Sequence, residues 1–171
     1  KITTEITIKI LSLREQLEIM RAQYEFKTSI NDIELIPISQ FIDQRGTLAV
    51  LASKGRTDAP NVKEIQEVYV SMTAEKHKHK KLDEYFIILD GSAKFVLVDD
   101  RKNSSTFQHK SIFFLNSNYQ FALFVPAEIY HAFITLNENT KCLAIANKAY
   151  DKNLPDTFAA PDSIFDNLLT L

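Results

Sequence analysis

The 171-residue sequence has no tryptophan, one cysteine and three glycines, and each scarcity excludes something. A single thiol, Cys142, cannot form an internal disulfide, so a disulfide-stapled scaffold is ruled out. Its neighbours Leu143, Ala144 and Ile145 mark it as a buried, reduced thiol, which leads us to expect a cytoplasmic protein. Charge of one sign is not in excess. Twenty Lys and Arg against 22 Asp and Glu give a formal net charge of -2, so no global field selects nucleic acid, and none is expected as a partner. Long apolar runs are absent too. None approaches the roughly 18 residues of a membrane span, and the first residues lack the succession of charged, apolar and small residues of a secretion signal. No membrane partner is therefore expected.

What the sequence does hold is aromatic and alternating. Twelve Phe and six Tyr beside so few glycines point to a β-rich body with an aromatic interior. At this length one core is expected. Residues 1–30 read as an N-terminal helical arm: Ser12-Leu13-Arg14-Glu15 matches a capping box, and Leu13, Leu17, Met20 and Tyr24 follow at helical spacing. Residues 31–171 read as an all-β domain with a C-terminal tail. Nine short strands are expected at 33–38, 47–51, 67–72, 85–89, 93–98, 106–114, 120–125, 132–136 and 141–146, the pattern of a sandwich or barrel. The apolar segment Ile164 to Leu169 reads as a short C-terminal helix docking back on the domain.

The chemistry concentrates in Lys76-His77-Lys78-His79-Lys80-Lys81-Leu82-Asp83-Glu84, which leads into the apolar run Tyr85 to Leu89 and the turn dipeptide Asp90-Gly91. In an extended segment residues i and i+2 face the same way, so His77 and His79 share a face. With Glu84 and the distant His131 they form a sensible set of ligands for a divalent transition metal, and equally a proton-transfer set. The blander alternative is a basic edge strand whose lysines deter aggregation. His109 lies outside this group and reads as structural. Tyr150 either stacks on a sugar or base or fills the barrel mouth, and Arg45 beside Gly46 is either a ligand residue or a turn residue with a surface ion pair.

His77, His79, Glu84 and Gly91 match the spacing of the first motif of the cupin superfamily, and Pro126 followed five residues later by His131 resembles the second. Glu128 stands where the family usually has glycine, Ser71 where another glycine opens the first motif, and Thr135 where an asparagine closes the second. The resemblance implies a jelly-roll barrel. Narrower likenesses, in Asp43-Gln44-Arg45-Gly46, Glu67-Val68-Tyr69, His77-Lys78-His79-Lys80, Asp99-Asp100-Arg101 and Ala149-Tyr150-Asp151, resemble the nucleotide-sugar cupins. That group contains 3,5-epimerases of dTDP-4-dehydrorhamnose synthesis and dTDP-4-keto-6-deoxyglucose 3,4-ketoisomerases.

This resemblance implies an isomerase or epimerase, a homodimer, acting on a nucleotide-linked 4-keto-6-deoxy sugar in surface polysaccharide synthesis. His77 or His79 would be the base and Tyr69 would meet a sugar oxygen. Arg45, Lys76, Arg101, His131 and Tyr150 would contact the substrate; Lys76 is the nearest cation to Ala74, which occupies the position of the family's diphosphate-binding arginine. That reading requires no cofactor. The ketoisomerases generally carry a non-ligand where this chain has Glu84, however, and His77, His79, Glu84 and His131 would hold Fe, Mn, Ni or Zn if a metal binds. The alternatives are thus a metal-dependent cupin of other chemistry, such as an oxygenase, and a sugar-binding cupin without catalysis.

Overall fold

The computed structural model describes residues 28–55, 60–72, 76–118 and 120–170. The expected N-terminal helix lies outside these residues. Twelve strands follow in order: β1 Glu34–Pro37, β2 Gln40–Asp43, β3 Gly46–Ala49, β4 Glu67–Ser71, β5 His77–His79, β6 Glu84–Asp90, β7 Ser92–Asp99, β8 Lys110–Asn116, β9 Phe121–Val125, β10 Ile129–Thr135, β11 Lys141–Ala146 and β12 Thr157–Ala159. Two five-stranded antiparallel sheets, β1-β9-β6-β11-β4 and β12-β5-β10-β7-β8, enclose the core, and β2 and β3 form a separate hairpin. The all-β jelly-roll expectation holds, but hydrogen bonding does not close the two sheets into one barrel.

Phe86, Phe95, Leu97, Leu123, Val125 and Phe133 fill the space between the sheets, each buried aliphatic or aromatic side chain contributing about 1.5–3 kcal/mol. The outer faces are covered as well. Ile38 and Val62 pack on Ile87, Ala122 and Ile145 of the first sheet, and Phe165 with Ile164, Leu168 and Leu169 packs on Val96, Val98, Tyr130 and Ala132 of the second. Strands buried on both faces read as continuous apolar runs rather than as alternation, which is why β6, β7 and β10 are so apolar.

Two expected elements need correction. The strand expected to begin at Thr106 begins at Lys110, because the hydroxyls of Ser104 and Thr106 donate to the buried carboxylate of Asp99 and fold the connection into successive turns. The expected C-terminal helix is a single 3-10 turn, Asp162–Ile164, followed by further turns. Its apolar residues dock as expected, but they do so on an irregular backbone. The nine expected strands also leave out β2, β12 and β5, although the last was expected to be extended.

Gly91 makes the tight turn between β6 and β7 with φ of 74°. A Cβ there would stand 2.5 Å from Thr140 Oγ1 and 3.1 Å from Thr140 Cα. That hydroxyl is not free to move aside: its one hydrogen lies between the carbonyls of Asn137 and Ser92, at 2.9 and 3.0 Å. Gly91→Ala is expected to cost about 2–3 kcal/mol, the sum of left-handed strain and overpacking. Urea unfolding would show it as a lower midpoint, and a loss under about 0.5 kcal/mol would mean that the turn relaxes freely.

Candidate active site

The site forms where β5 and β10 of one sheet approach β4 and β6 of the other. His77 and His79 lie two residues apart on β5, and the register places His131 of β10 directly opposite His77. Glu84 is the first residue of β6, paired with Val125 on one side and Ala146 on the other. Tyr69 projects from β4 opposite Ala144. Alternation therefore carries the imidazoles inward from one sheet and the carboxylate and phenol inward from the other.

Nitrogen Nε2 of His77 lies 3.1 Å from Nε2 of His79 and 3.2 Å from Nε2 of His131. Glu84 Oε2 is 3.4 Å from His79 Nε2 and 3.1 Å from His131 Nε2. The outer nitrogens of two of the rings are fixed. His79 Nδ1–H donates to the carbonyl of Asp156 at 2.9 Å, and His131 Nδ1–H donates to the carbonyl of Ile129 at 3.1 Å. A carbonyl only accepts, so both of these Nδ1 atoms carry hydrogen and both Nε2 atoms turn inward. Tyr69 Oη donates to Glu84 Oε1 at 2.6 Å.

Lone pairs thus converge on one point. With only 1% of its surface exposed, Glu84 is among the most buried charged side chains described, and its Oε2 has no conventional hydrogen-bond donor. A proton on an imidazole, or a cation, placed among these atoms would balance the buried carboxylate. Burial by itself would hinder ionisation of Glu84, but a second proton on the Nε2 of His131 or His79 gives the carboxylate a charged hydrogen-bond donor, which outweighs burial and holds the carboxyl well below the usual range. Burial likewise works against charging His79, and the Glu84 carboxylate with the Asp156 carbonyl reverses the balance and raises its proton affinity. Burial, then the charge of Glu84, pushes the Tyr69 phenol up, so Tyr69 stays protonated.

The same donor set fits a divalent metal. His77, His79, Glu84 and His131 each offer one ligand atom, and all four atoms lie within 4.8 Å of one another. Neighbouring ligands around a single ion at about 2.1 Å stand roughly 3.0–3.4 Å apart, and the four separations of 3.1–3.4 Å above meet that spacing. The carbonyl partners of His79 and His131 are also the kind of outer hydrogen bond that orients metal-binding imidazoles.

A cavity of about 610 Å³ opens over this cluster, and Tyr69, His77, His79, Glu84 and His131 line it. Tyr150 stands at the wall, two-thirds exposed. The three expected cationic contacts lie elsewhere. Arg45 sits in the β2–β3 turn against Asp43, its side chain 85% exposed. Arg101 is bound to Asp99, Asp32 and the carbonyl of Asn31, and Lys76 does not line the cavity either. The cations that do line it, Lys81 and Lys148, went unnoticed in the sequence, as did Asp156. Lys81 was in view inside the histidine stretch, but Lys148 and Asp156 carry no local motif. His109 is structural, its Nδ1–H donating to the carbonyl of Ser29. Burial pushes the Cys142 thiol up to about 12, and the group is inert.

Among the described residues no helix is long and apolar enough to cross a membrane. No curated sequence is significantly similar to the chain. Solved structures share its fold. A doubly substituted QdtA 3,4-ketoisomerase from Thermoanaerobacterium thermosaccharolyticum, in complex with TDP, is 26% identical, with a TM-score of 0.60 over 81% of this chain and 94% of that one. A dTDP sugar isomerase from Desulfovibrio desulfuricans G20 is 19% identical, with a TM-score of 0.67 over 80% and 89% of the two chains. The Mycobacterium tuberculosis rmlC epimerase is 17% identical, with a TM-score of 0.69 over 85% and 76%. Residues 31–156, more than half of the chain, match the family described as "FdtA: WxcM-like, C-terminal", and the chain belongs to that family.

Proposed function

We propose that the protein is an isomerase or epimerase of a nucleotide-linked 4-keto-6-deoxy sugar, working by proton transfer next to the ketone. The observation that carries this reading is His79. Its Nδ1–H is fixed on Asp156, its basic Nε2 faces a cavity of substrate size, and a buried carboxylate stands ready to stabilise the imidazolium. His79 Nε2 takes the proton from the carbon beside the ketone, and the electron pair moves into the carbonyl to give an enediolate. Returning the proton to the former carbonyl carbon, while the adjacent hydroxyl passes its proton to the former carbonyl oxygen, shifts the ketone; returning it to the original carbon from the opposite face inverts the centre. Tyr69 has its proton committed to Glu84, so its oxygen is free to accept a hydrogen bond from a sugar hydroxyl. Lys81 and Lys148 are the cations placed to meet the diphosphate.

The test is incubation with dTDP-4-keto-6-deoxyglucose in deuterium oxide. Deuterium is expected at the carbon beside the ketone. Its absence, with the sugar bound, would leave a binding protein without this chemistry.

A second reading, a metal-dependent enzyme, is favoured by the buried Glu84 Oε2 among three inward nitrogens. His77, His79, His131 and Glu84 would hold the ion, which would supply Lewis-acid polarisation of a bound carbonyl. Imidazoles committed as ligands are no longer bases. Elemental analysis of protein purified without chelator decides between the two: the proton-transfer reading expects far less than one metal per chain, and near-stoichiometric Fe, Mn, Ni or Zn would overturn it.

A further inference from the structure

Strand β5 carries two of the three imidazoles and is only three residues long. One register position, His77 opposite His131, ties it to β10. Three tie it to β12: Thr157 opposite His79, Phe158 opposite Lys78 and Ala159 opposite His77. The ladder continues through Ala160 N, which donates to the carbonyl of Lys76 at 2.8 Å. More of the pairing that holds the histidine strand therefore comes from the C-terminal segment than from the body of the sheet.

Asp156 sits at the head of that segment and holds β5 in two ways. Its carbonyl accepts the His79 Nδ1–H, while its carboxylate accepts from Lys80 N at 3.1 Å and Lys81 N at 2.8 Å. The carboxylate thus caps the chain directly after His79, and the same residue's backbone sets the tautomer of the ring. Beyond it the segment is anchored firmly. The Lys80 ammonium lies 4.3 Å from the centroid of the Phe158 ring, Phe165 is fully buried on the outer face of the second sheet, and Lys94 Nζ donates to the carbonyl of Thr170 at 2.9 Å. The family match ends at residue 156, at the head of this strap.

We propose that Asp156, locked in place by β12 and the C-terminal strap, is a positioning residue that holds His79 as the Nδ1–H tautomer with Nε2 directed into the cavity. A free neutral imidazole prefers the opposite tautomer, with hydrogen on Nε2, so the Asp156 carbonyl keeps the inward nitrogen basic. Residues 157–170 are by this account part of the site's machinery rather than a tail.

The experiment uses the full chain with 15N-labelled histidine and long-range 1H–15N correlation at alkaline pH, comparing wild type, Asp156→Ala and Asp156→Asn. In the wild type, His79 Nδ1 is expected to be the protonated nitrogen. Asp156→Ala frees the Lys80 and Lys81 amides, lets the carbonyl drift, and moves His79 toward the Nε2–H tautomer. Asparagine keeps one acceptor oxygen and restores most of the wild-type signature. His131 is the internal control, because its Nδ1–H rests on Ile129 and does not depend on Asp156. Unchanged His79 signals in Asp156→Ala, or His79 and His131 changing together, would overturn the proposal.

A kinetic arm rests on the proton-transfer reading: Asp156→Ala is expected to lower kcat roughly 10- to 100-fold with little change in KM. An unchanged kcat would count against the positioning role, whereas a wild type with no exchange would count against the proton-transfer reading alone. The tautomer result stands apart from both.

Discussion

His79→Asn is expected to lower deuterium exchange beside the ketone by roughly 10²- to 10⁴-fold, the usual contribution of a positioned general base. His79 is favoured over its neighbours because a base that becomes a cation needs an anion beside it. Glu84 Oε2 stands 3.4 Å from His79 Nε2, whereas His77 Nε2 meets two imidazole nitrogens, at 3.1 and 3.2 Å. Neutral imidazoles can accept from an imidazolium N–H but bring no opposite charge, so they stabilise it less than a carboxylate does. His131 also borders Glu84, and it is the leading partner that keeps the carboxylate ionised. Asparagine retains polarity and approximate shape without the basic nitrogen, so substrate binding should change little. His77→Asn is the comparison: it should disturb exchange less than His79→Asn. Full exchange in His79→Asn would remove that residue from the role of base, and loss only in His77→Asn would reassign it.

The cluster itself was legible in the sequence, because its signal is local. His77 and His79 needed only strand alternation to share a face, and Glu84 with Gly91 stood at recognisable spacing. Eight of the nine expected strands have counterparts with bounds shifted by only a few residues, since runs such as Phe86 to Leu89 and Val96 to Val98 are apolar enough to be strands in any setting. What sequence could not supply was pairing at long range. Asp156 meets His79 across a separation of 77 residues, and β12 is three residues whose only distinction is the strand they lie against. The docked C-terminus shows a subtler limit. Ile164, Leu168 and Leu169 were expected to dock back as a helix; they do dock, partly buried, but helical spacing was only a proxy for that contact, and one 3-10 turn with further turns satisfies it. Glu128 is a reverse case: it adopts φ of 64°, the conformation for which glycine is usual. Hydrogen bonds from Ala127 N to Asp83 and from Asp100 N to the Glu128 carbonyl hold the turn without glycine.

Arg101 was expected to bind phosphate, and its actual partners lead to the largest effect on stability. The Asp99 side chain is fully buried and accepts from Arg101 N and Nε, each at 2.9 Å, from Arg101 Nη2 and Ser104 Oγ, each at 2.8 Å, and from Thr106 Oγ1 at 2.7 Å. Arg101 Nη1 and Nη2 then reach Asp32 and the carbonyl of Asn31, tying the start of the β domain to the β7–β8 connection. Burial alone would raise the Asp99 carboxyl, but this cage, led by Arg101, holds it far below the usual carboxylate range. Asp99→Asn turns an amide NH₂ toward donors and leaves Arg101 short of its main partner. A cost of about 3–5 kcal/mol is expected, as for other broken buried pairs, or a fall in Tm on the order of 10 °C. The pH dependence has a definite sign. A carboxyl whose pKa is depressed by folding contributes stability above its unfolded value, near 3.9, and loses it as pH falls through the folded one. The gap between wild type and Asp99→Asn should therefore be constant near neutrality and narrow only in strong acid. Arg101→Lys keeps the charge but not the fork of donors, so it should also lower Tm. It should leave KM for the nucleotide sugar unchanged, because Arg101 does not line the cavity. A raised KM with an unaltered Tm would return Arg101 to the substrate and take it out of the scaffold.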